Sequence, residues 1–255
     1  MQNETPLALQ EYHNAKRSKN NKPELIKFNT QDGTLRFYVN TDADRETLQL
    51  NLTAEYFAGP WFSMFPIEKR MTLRSQRWLE LGAKTGWFAA KLYKKMTPRM
   101  VTACEASSAR FGFLAANNAM NIPCGDEVER FVHLVPERTI EKHPGRRATL
   151  RISGITGYAD SMGEHELGAP VGDWQSEMRM RRYTSIKIDM DGYEGEFILA
   201  DNVQFGNMSC AMVKVNPAHH SKKDFERIST KLSNSFPDGA MRTEHPDGSA
   251  MFFCH

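Results

Sequence analysis

The stretch Arg77 to Ala90 reads RWLELGAKTGWFAA, and the fold turns on how it is interpreted. QRWLEL, residues 76–81, is a short apolar run suited to a buried strand. GWFAAKLYKKM, from Gly86, carries apolar residues at helical spacing. Between them lie Gly82 and Gly86, so strand passes to helix through a tight turn. Glycine lets the backbone turn sharply and admits a ligand without a Cβ in the way. A helix starting near Thr85 points its unpaired N–H groups at the same spot. The turn is neither the GxGxxG of a dinucleotide site nor the GxxxxGK[ST] of a phosphate loop. It is ExGxxxG, with Glu80 two residues before the first glycine.

Outward from this turn, strands and helices alternate. RMVTACEA is a second strand, and SARFGFLAANNAMN a helix capped by Ser107 or Ser108. VERFVHLV, ATLRISG, SIKIDMD and SCAMVKVN read as further strands. SKKDFERISTKLSNSF is a helix with Phe225, Ile228 and Leu232 on one face, and GSAMFFCH is a closing strand. The series predicts an α/β fold with a doubly wound, mostly parallel, Rossmann-like sheet and an antiparallel element near the C-terminus. Residues 77–255 form this domain. Residues 25–76 add a hairpin about Asp32-Gly33, a helix in TDADRETLQLNLTAEYFAG, and the aromatic, proline-containing PWFSMFPIEKRM, a packed loop or a lid. Residues 1–24 read as a polar tail or peripheral helix.

With 255 residues, 40% apolar and 25% charged, the chain has the composition of a soluble globular protein. A net charge of +2 gives no global reason to expect a phosphate-coated partner, although Arg179-Met180-Arg181-Arg182 is a local basic run. The four cysteines, Cys104, Cys124, Cys210 and Cys254, match neither a zinc motif nor a secreted disulfide scaffold, and read as reduced, buried thiols. The N-terminus lacks the apolar core of a signal peptide, and no run approaches the ~18 apolar residues of a membrane span. The expectation is a cytoplasmic protein without membrane partners.

Glu105 ends the second strand, twenty-five residues after Glu80 and one strand–helix–strand unit later. A carboxylate there can accept both hydroxyls of a ribose, so the two acids and the glycines together favour an adenosine-type cofactor.

Here the chain resembles the class I S-adenosylmethionine-dependent methyltransferases, and within them the FkbM-like group. The resemblance rests on ELGAKTGWF, the acid-ended strand, Leu114, Asn117 and Asn121 of an LxxNxxxN helix, and KIDMDGYEGEFI from Lys187 to Ile198. It runs from about Asp32 through MVKVNP. It implies S-adenosyl-L-methionine as cofactor, held by Glu80, Gly82, Ala83, Lys84, Gly86, Trp87, Glu105, Ala106, Ser107 and Asp189. Glu80 stands for the commoner Asp. Lys84 replaces a small polar residue, and either pairs with the cofactor's methionine carboxylate or crowds the loop. Asp191 stands where Glu is usual. PERTIEKHPGRR reads as an insertion without a role.

The resemblance also places IDMDGYE beside the transferred methyl. Asp189 is the favoured catalytic acid, with Asp191 and Glu194 on the following turn to hold an acceptor hydroxyl or a divalent metal, or to cap the next helix. His219 and His220 of NPAHH follow the next strand, and a histidine suits proton removal near neutral pH, as it does an exposed loop. No spacing indicates a metal site. The leading expectation is O-methylation of a hydroxyl on a sugar, glycan or other small metabolite. The alternatives are an RNA ribose 2′-O-methyltransferase using Lys69, Asp189, Lys214 and Glu244, against which the modest basic surface argues, and a silent binding subunit whose pocket Lys84 blocks.

Overall fold

The computed structural model describes residues 23–30, 33–53, 76–105, 108–122, 182–190, 192–201, 203–244 and 248–255, with short strand pieces between 130 and 173. Strands β1 (Glu24–Thr30) and β2 (Gly33–Val39) form a hairpin with Thr30 opposite Gly33. Helix α1 (Asp42–Thr53) starts with the Thr41 hydroxyl accepting the Asp44 N–H at 3.0 Å, a side-chain cap of the expected kind. Then come β3 (Arg77–Leu81), α2 (Trp87–Met96), β4 (Met100–Cys104), α3 (Ser108–Asn121), β5 (Ser185–Ile188), α4 (Glu194–Leu199), β6 (Cys210–Val215), α5 (Lys222–Ser235), β7 (Ala240–Glu244) and β8 (Ala250–Cys254).

Six strands make one sheet in the order β7-β8-β6-β5-β3-β4. β6, β5, β3 and β4 are parallel, and β8 is inserted antiparallel between β6 and β7. The short strand Arg130–Val132 lies beside β4 and pairs antiparallel with Leu150–Ile152. The architecture is the expected mostly parallel α/β sheet. β7, which the sequence reading did not predict, is a half-exposed edge strand. Its AMRTE offers too little apolar alternation to announce a strand.

Period-two alternation divides the core. Leu79, Leu81, Ile186, Ile188, Val213 and Val215 pack on one side with Phe197 and Ile198 of α4 and Ile228 and Leu232 of α5. On the other side Trp78, Val101, Met212 and Phe253 meet α2, α1 and the hairpin residues Leu35 and Phe37. Helix α3 fastens the hairpin. Asn121 accepts the Arg36 N–H at 2.9 Å and donates to the Arg36 carbonyl at 2.6 Å, and Asn117 does the same for Tyr38 at 2.6 and 3.1 Å. The two asparagines thus supply the hydrogen bonds that a neighbouring strand would give to β2. Asn117 also donates to the Thr85 carbonyl at 2.9 Å, tying hairpin, helix and turn together. Cys104, Cys210 and Cys254 are buried and form no disulfide among the described residues. Residues 1–22, Cys124, PWFSMFPIEKRM, PERTIEKHPGRR and Arg179 to Arg181 lie outside the described residues, while Arg182 is exposed.

Candidate functional site

Strand order reverses at β3, with β4 on one side and β5 on the other, and ligands of open α/β sheets gather beyond the carboxyl ends of such strands. The turn after β3 is held down by the Cys104 carbonyl, which accepts from Gly82 N at 3.0 Å and Ala83 N at 2.8 Å. Gly82 (φ +75°) must be glycine, because a Cβ there would fall 1.9 Å from the Asp189 carbonyl oxygen. Gly86 (φ +84°) begins α2 without a side-chain cap. Lys84 adopts φ +52°, a left-handed conformation uncommon outside glycine.

Lys84 joins the two acids singled out in the sequence. Its backbone N–H donates to Glu105 Oε2 at 2.8 Å, and its Nζ donates to Asp189 Oδ1 at 3.0 Å. Glu105 and Asp189 are both buried. Lys187 completes the cluster from within the sheet. Its Nζ lies 3.1 Å from the Gly82 carbonyl and 3.4 Å from both Glu80 Oε1 and Asp189 Oδ2, with the Trp87 ring centroid 5.6 Å away.

The register explains this convergence. Glu80 is opposite Lys187, which is opposite Met212, so these side chains share a face. Two residues further along, Asp189 and Lys214 extend beyond the same face. Burial pushes the Glu80 carboxyl up to about 7, against the pull of Lys187. Burial alone would raise Asp189 too, but the ammonium groups of Lys84, Lys187 and Lys214 hold it well below the usual carboxylate range.

The turn after β5 is organised by Glu194. Its carboxylate accepts from Met190 N at 2.6 Å and Gly192 N at 3.0 Å, and Oε2 is 3.3 Å from His220 Nε2. Glu194 is therefore the acid that fixes the turn. The two histidines part company. His219 is exposed and packs on Gly192, where a Cβ would approach its ring carbon to 3.2 Å. His220 is seated on Gly195, where a Cβ would lie 2.8 Å from Nδ1, and its side chain is 6% exposed. The turn from Gly192 to Gly195 and NPAHH thus interlock through glycines.

Among the expected site residues, Glu80, Gly82, Ala83, Lys84, Gly86, Trp87, Glu105 and Asp189 come together at the ends of β3, β4 and β5. Ala106, Ser107, Asp191 and Lys69 lie outside the described residues. The tetrad written for ribose methylation does not assemble around Asp189. Lys214 lines up with Met251 and Thr243, whereas Glu244 lines up with Ala250, so Glu244 is on the opposite face of the sheet and is exposed. The sequence reading missed Lys187, whose role depends on pairing between strands about a hundred residues apart. Its only local sign was a lysine inside an otherwise apolar strand. Among the described residues no group of His, Cys, Asp and Glu could hold a metal ion, and no helix is long and apolar enough to cross a membrane.

The donor set suits an adenosine-type cofactor. Glu80 Oε2 and both polar atoms of the Asn118 amide are buried without a hydrogen-bond partner among the described residues, and a Cβ on Gly86 would lie 2.7 Å from Asn118 Oδ1. Unmet polar capacity thus flanks a glycine-edged turn and an uncapped helix start.

No protein-family model and no curated protein matches the sequence. Similar folds are found among solved structures. Fibrillarin from Aeropyrum pernix, crystallised with S-adenosyl-L-methionine, is 12% identical, with 96% of this chain and 86% of that one covered, at a TM-score of 0.40. The precorrin-6y C5,15-methyltransferase of Geobacter metallireducens is 9% identical, with 73% and 85% covered, at 0.37. TrmK of M. capricolum, in complex with S-adenosyl-homocysteine, is 11% identical, with 74% and 67% covered, at 0.38. Likeness at this level carries nothing about reaction or substrate.

Proposed function

We propose that this chain is an S-adenosylmethionine-dependent methyltransferase of class I, FkbM-like in its motifs, that methylates a hydroxyl of a sugar or other small metabolite. The observation that carries the proposal is the convergence of the Gly82–Gly86 turn, Glu105 and Asp189 at the point where strand order reverses. When bound, the cofactor supplies a methyl group on a positively charged sulfur, with a neutral thioether as leaving group.

Glu105 would hold the ribose hydroxyls, and Gly82 and Gly86 would let the backbone approach the cofactor. Lys84 occupies Asp189 here, and on this reading it exchanges that contact for the cofactor's carboxylate. Asp189, in contact with Lys84 and Lys187, is read as the group that positions these cations. We assign removal of the acceptor proton to His220, oriented by Glu194 as a base is oriented by a carboxylate in a triad. Its Nε2 faces Glu194, and its ring rests on Gly195. The sugar or metabolite class rests on the motif resemblance. The displaced Glu244 counts against the ribose tetrad.

The test is transfer of labelled methyl from S-adenosylmethionine to glycans, small phenols and RNA. Label on a hydroxyl of a glycan or small molecule, reduced about a hundredfold or more in His220→Ala, is the expected result. Label on RNA alone would overturn the acceptor assignment.

A further inference from the structure

We propose that the groove between α5 and β7 is a binding site for a small phosphorylated sugar or polyol. The proposal does not depend on the cofactor reading. The groove has a volume of about 580 Å³, within the ~300–1,000 Å³ range of small-molecule sites. One stripe of α5 lines it with Lys222, Phe225, Glu226 and Ser229, facing Arg242 of β7 and His220 at its head.

Register builds this face. Arg242 is opposite Phe252, the Phe225 ring centroid is 5.9 Å from that of Phe252, and the Arg242 guanidinium lies 4.8 Å over the Phe225 ring. An arginine held over an aromatic ring loses less freedom when its fork of N–H donors takes up a phosphate. Among the described residues neither Arg242 nor Lys222 is joined to a carboxylate, whereas Arg227 on the same helix pairs with Asp224 at 3.1 Å. Two cations therefore line the groove without a carboxylate partner among the described residues.

The remaining groups are suited to hydroxyls rather than to a bare anion. Glu226 is a carboxylate acceptor that would repel inorganic phosphate but can accept from sugar hydroxyls, and Ser229 can donate or accept. His220 is immobilised at the head of the groove by Glu194. The combination of two cations, one acid, a hydroxyl and a fixed imidazole specifies a ligand with phosphate at one end and hydroxyls at the other.

The experiment is calorimetric titration of the full chain with glucose 6-phosphate, glucose, inorganic phosphate and a single-stranded ribo-oligonucleotide, repeated on Arg242→Gln and Glu226→Gln. Both substituted side chains are exposed, so thermal melting should be unchanged and serves as the folding control. Glucose 6-phosphate should bind more tightly than glucose or inorganic phosphate. Arg242→Gln should weaken it roughly tenfold or more. Glu226→Gln should weaken the sugar phosphate while leaving inorganic phosphate equal or stronger. Equal binding of glucose and its phosphate, or an affinity unaltered by Arg242→Gln, would overturn the site. Inorganic phosphate binding as tightly as the sugar phosphate would remove its sugar specificity. Tighter, Arg242-dependent binding of the oligonucleotide would overturn the assignment to a small molecule.

Discussion

Leu79, Leu81, Ile186 and Ile188 on one face of β3 and β5 pack in an apolar cluster, while Glu80, Lys187 and Asp189 on the other face form a buried ionic ladder. The two sets alternate along the same few residues, so the contrast is not one of strand propensity. Each buried aliphatic side chain stabilises by about 1.5–3 kcal/mol. Each buried ion costs several kcal/mol before its partners compensate. Stability alone would favour apolar residues on both faces. The ladder also sits at the carboxyl end of the strands, where order reverses, and a charge cluster concentrated there is best explained by what it binds.

The sharpest way to break this contrast is Lys187→Met. It strips the ladder of its central cation and leaves Glu80 buried beside an apolar side chain. Denaturant unfolding should show a loss of about 3–5 kcal/mol, and adding Glu80→Gln should recover much of it. If the single variant is as stable as the unmodified protein, the ladder is not what holds this face.

The pH dependence should come next in size. Glu80 rises from 4.5 to about 7 on folding, so the folded state binds its proton more tightly than the unfolded chain does. Its contribution is fully present below about 4.5 and is lost as pH rises through about 7. Asp189 has the opposite sign, stabilising above its ordinary 3.8 and ceasing to do so as pH falls. Unfolding measured across this range should show stability declining from pH 4.5 to 7, and Glu80→Gln should flatten that decline. An unchanged profile in Glu80→Gln would assign the titration elsewhere. The smallest effect belongs to the apolar face. Ile186→Val should cost only about 1 kcal/mol, with the pH profile of the unmodified protein retained.

The same contrast explains what could be read from the sequence. β3, α2, β4, α3, β5, β6, α5 and β8 carry strong apolar periodicity and were legible, while β7 is an edge strand that buries too little to declare itself. Gly82, Gly86, Glu105 and Asp189 were legible because turns and strand ends leave local marks. The Glu80–Lys187 pair was not, since pairing between distant strands is set by register. His220 rather than His219 became the buried histidine because Gly195 leaves room for its ring, a contact between separate loops. Asn117 and Asn121 were legible as a motif, but not as the clasp of the N-terminal hairpin.

The central claim is that the ends of β3, β4 and β5 hold an adenosine-type cofactor. Calorimetric titration with S-adenosyl-homocysteine tests it most directly, comparing the unmodified protein, Glu105→Ala and Ile186→Val. One site per chain is predicted, weakened about tenfold or more in Glu105→Ala and unaltered in Ile186→Val. No binding by the unmodified protein, or equal binding by Glu105→Ala, would contradict the account.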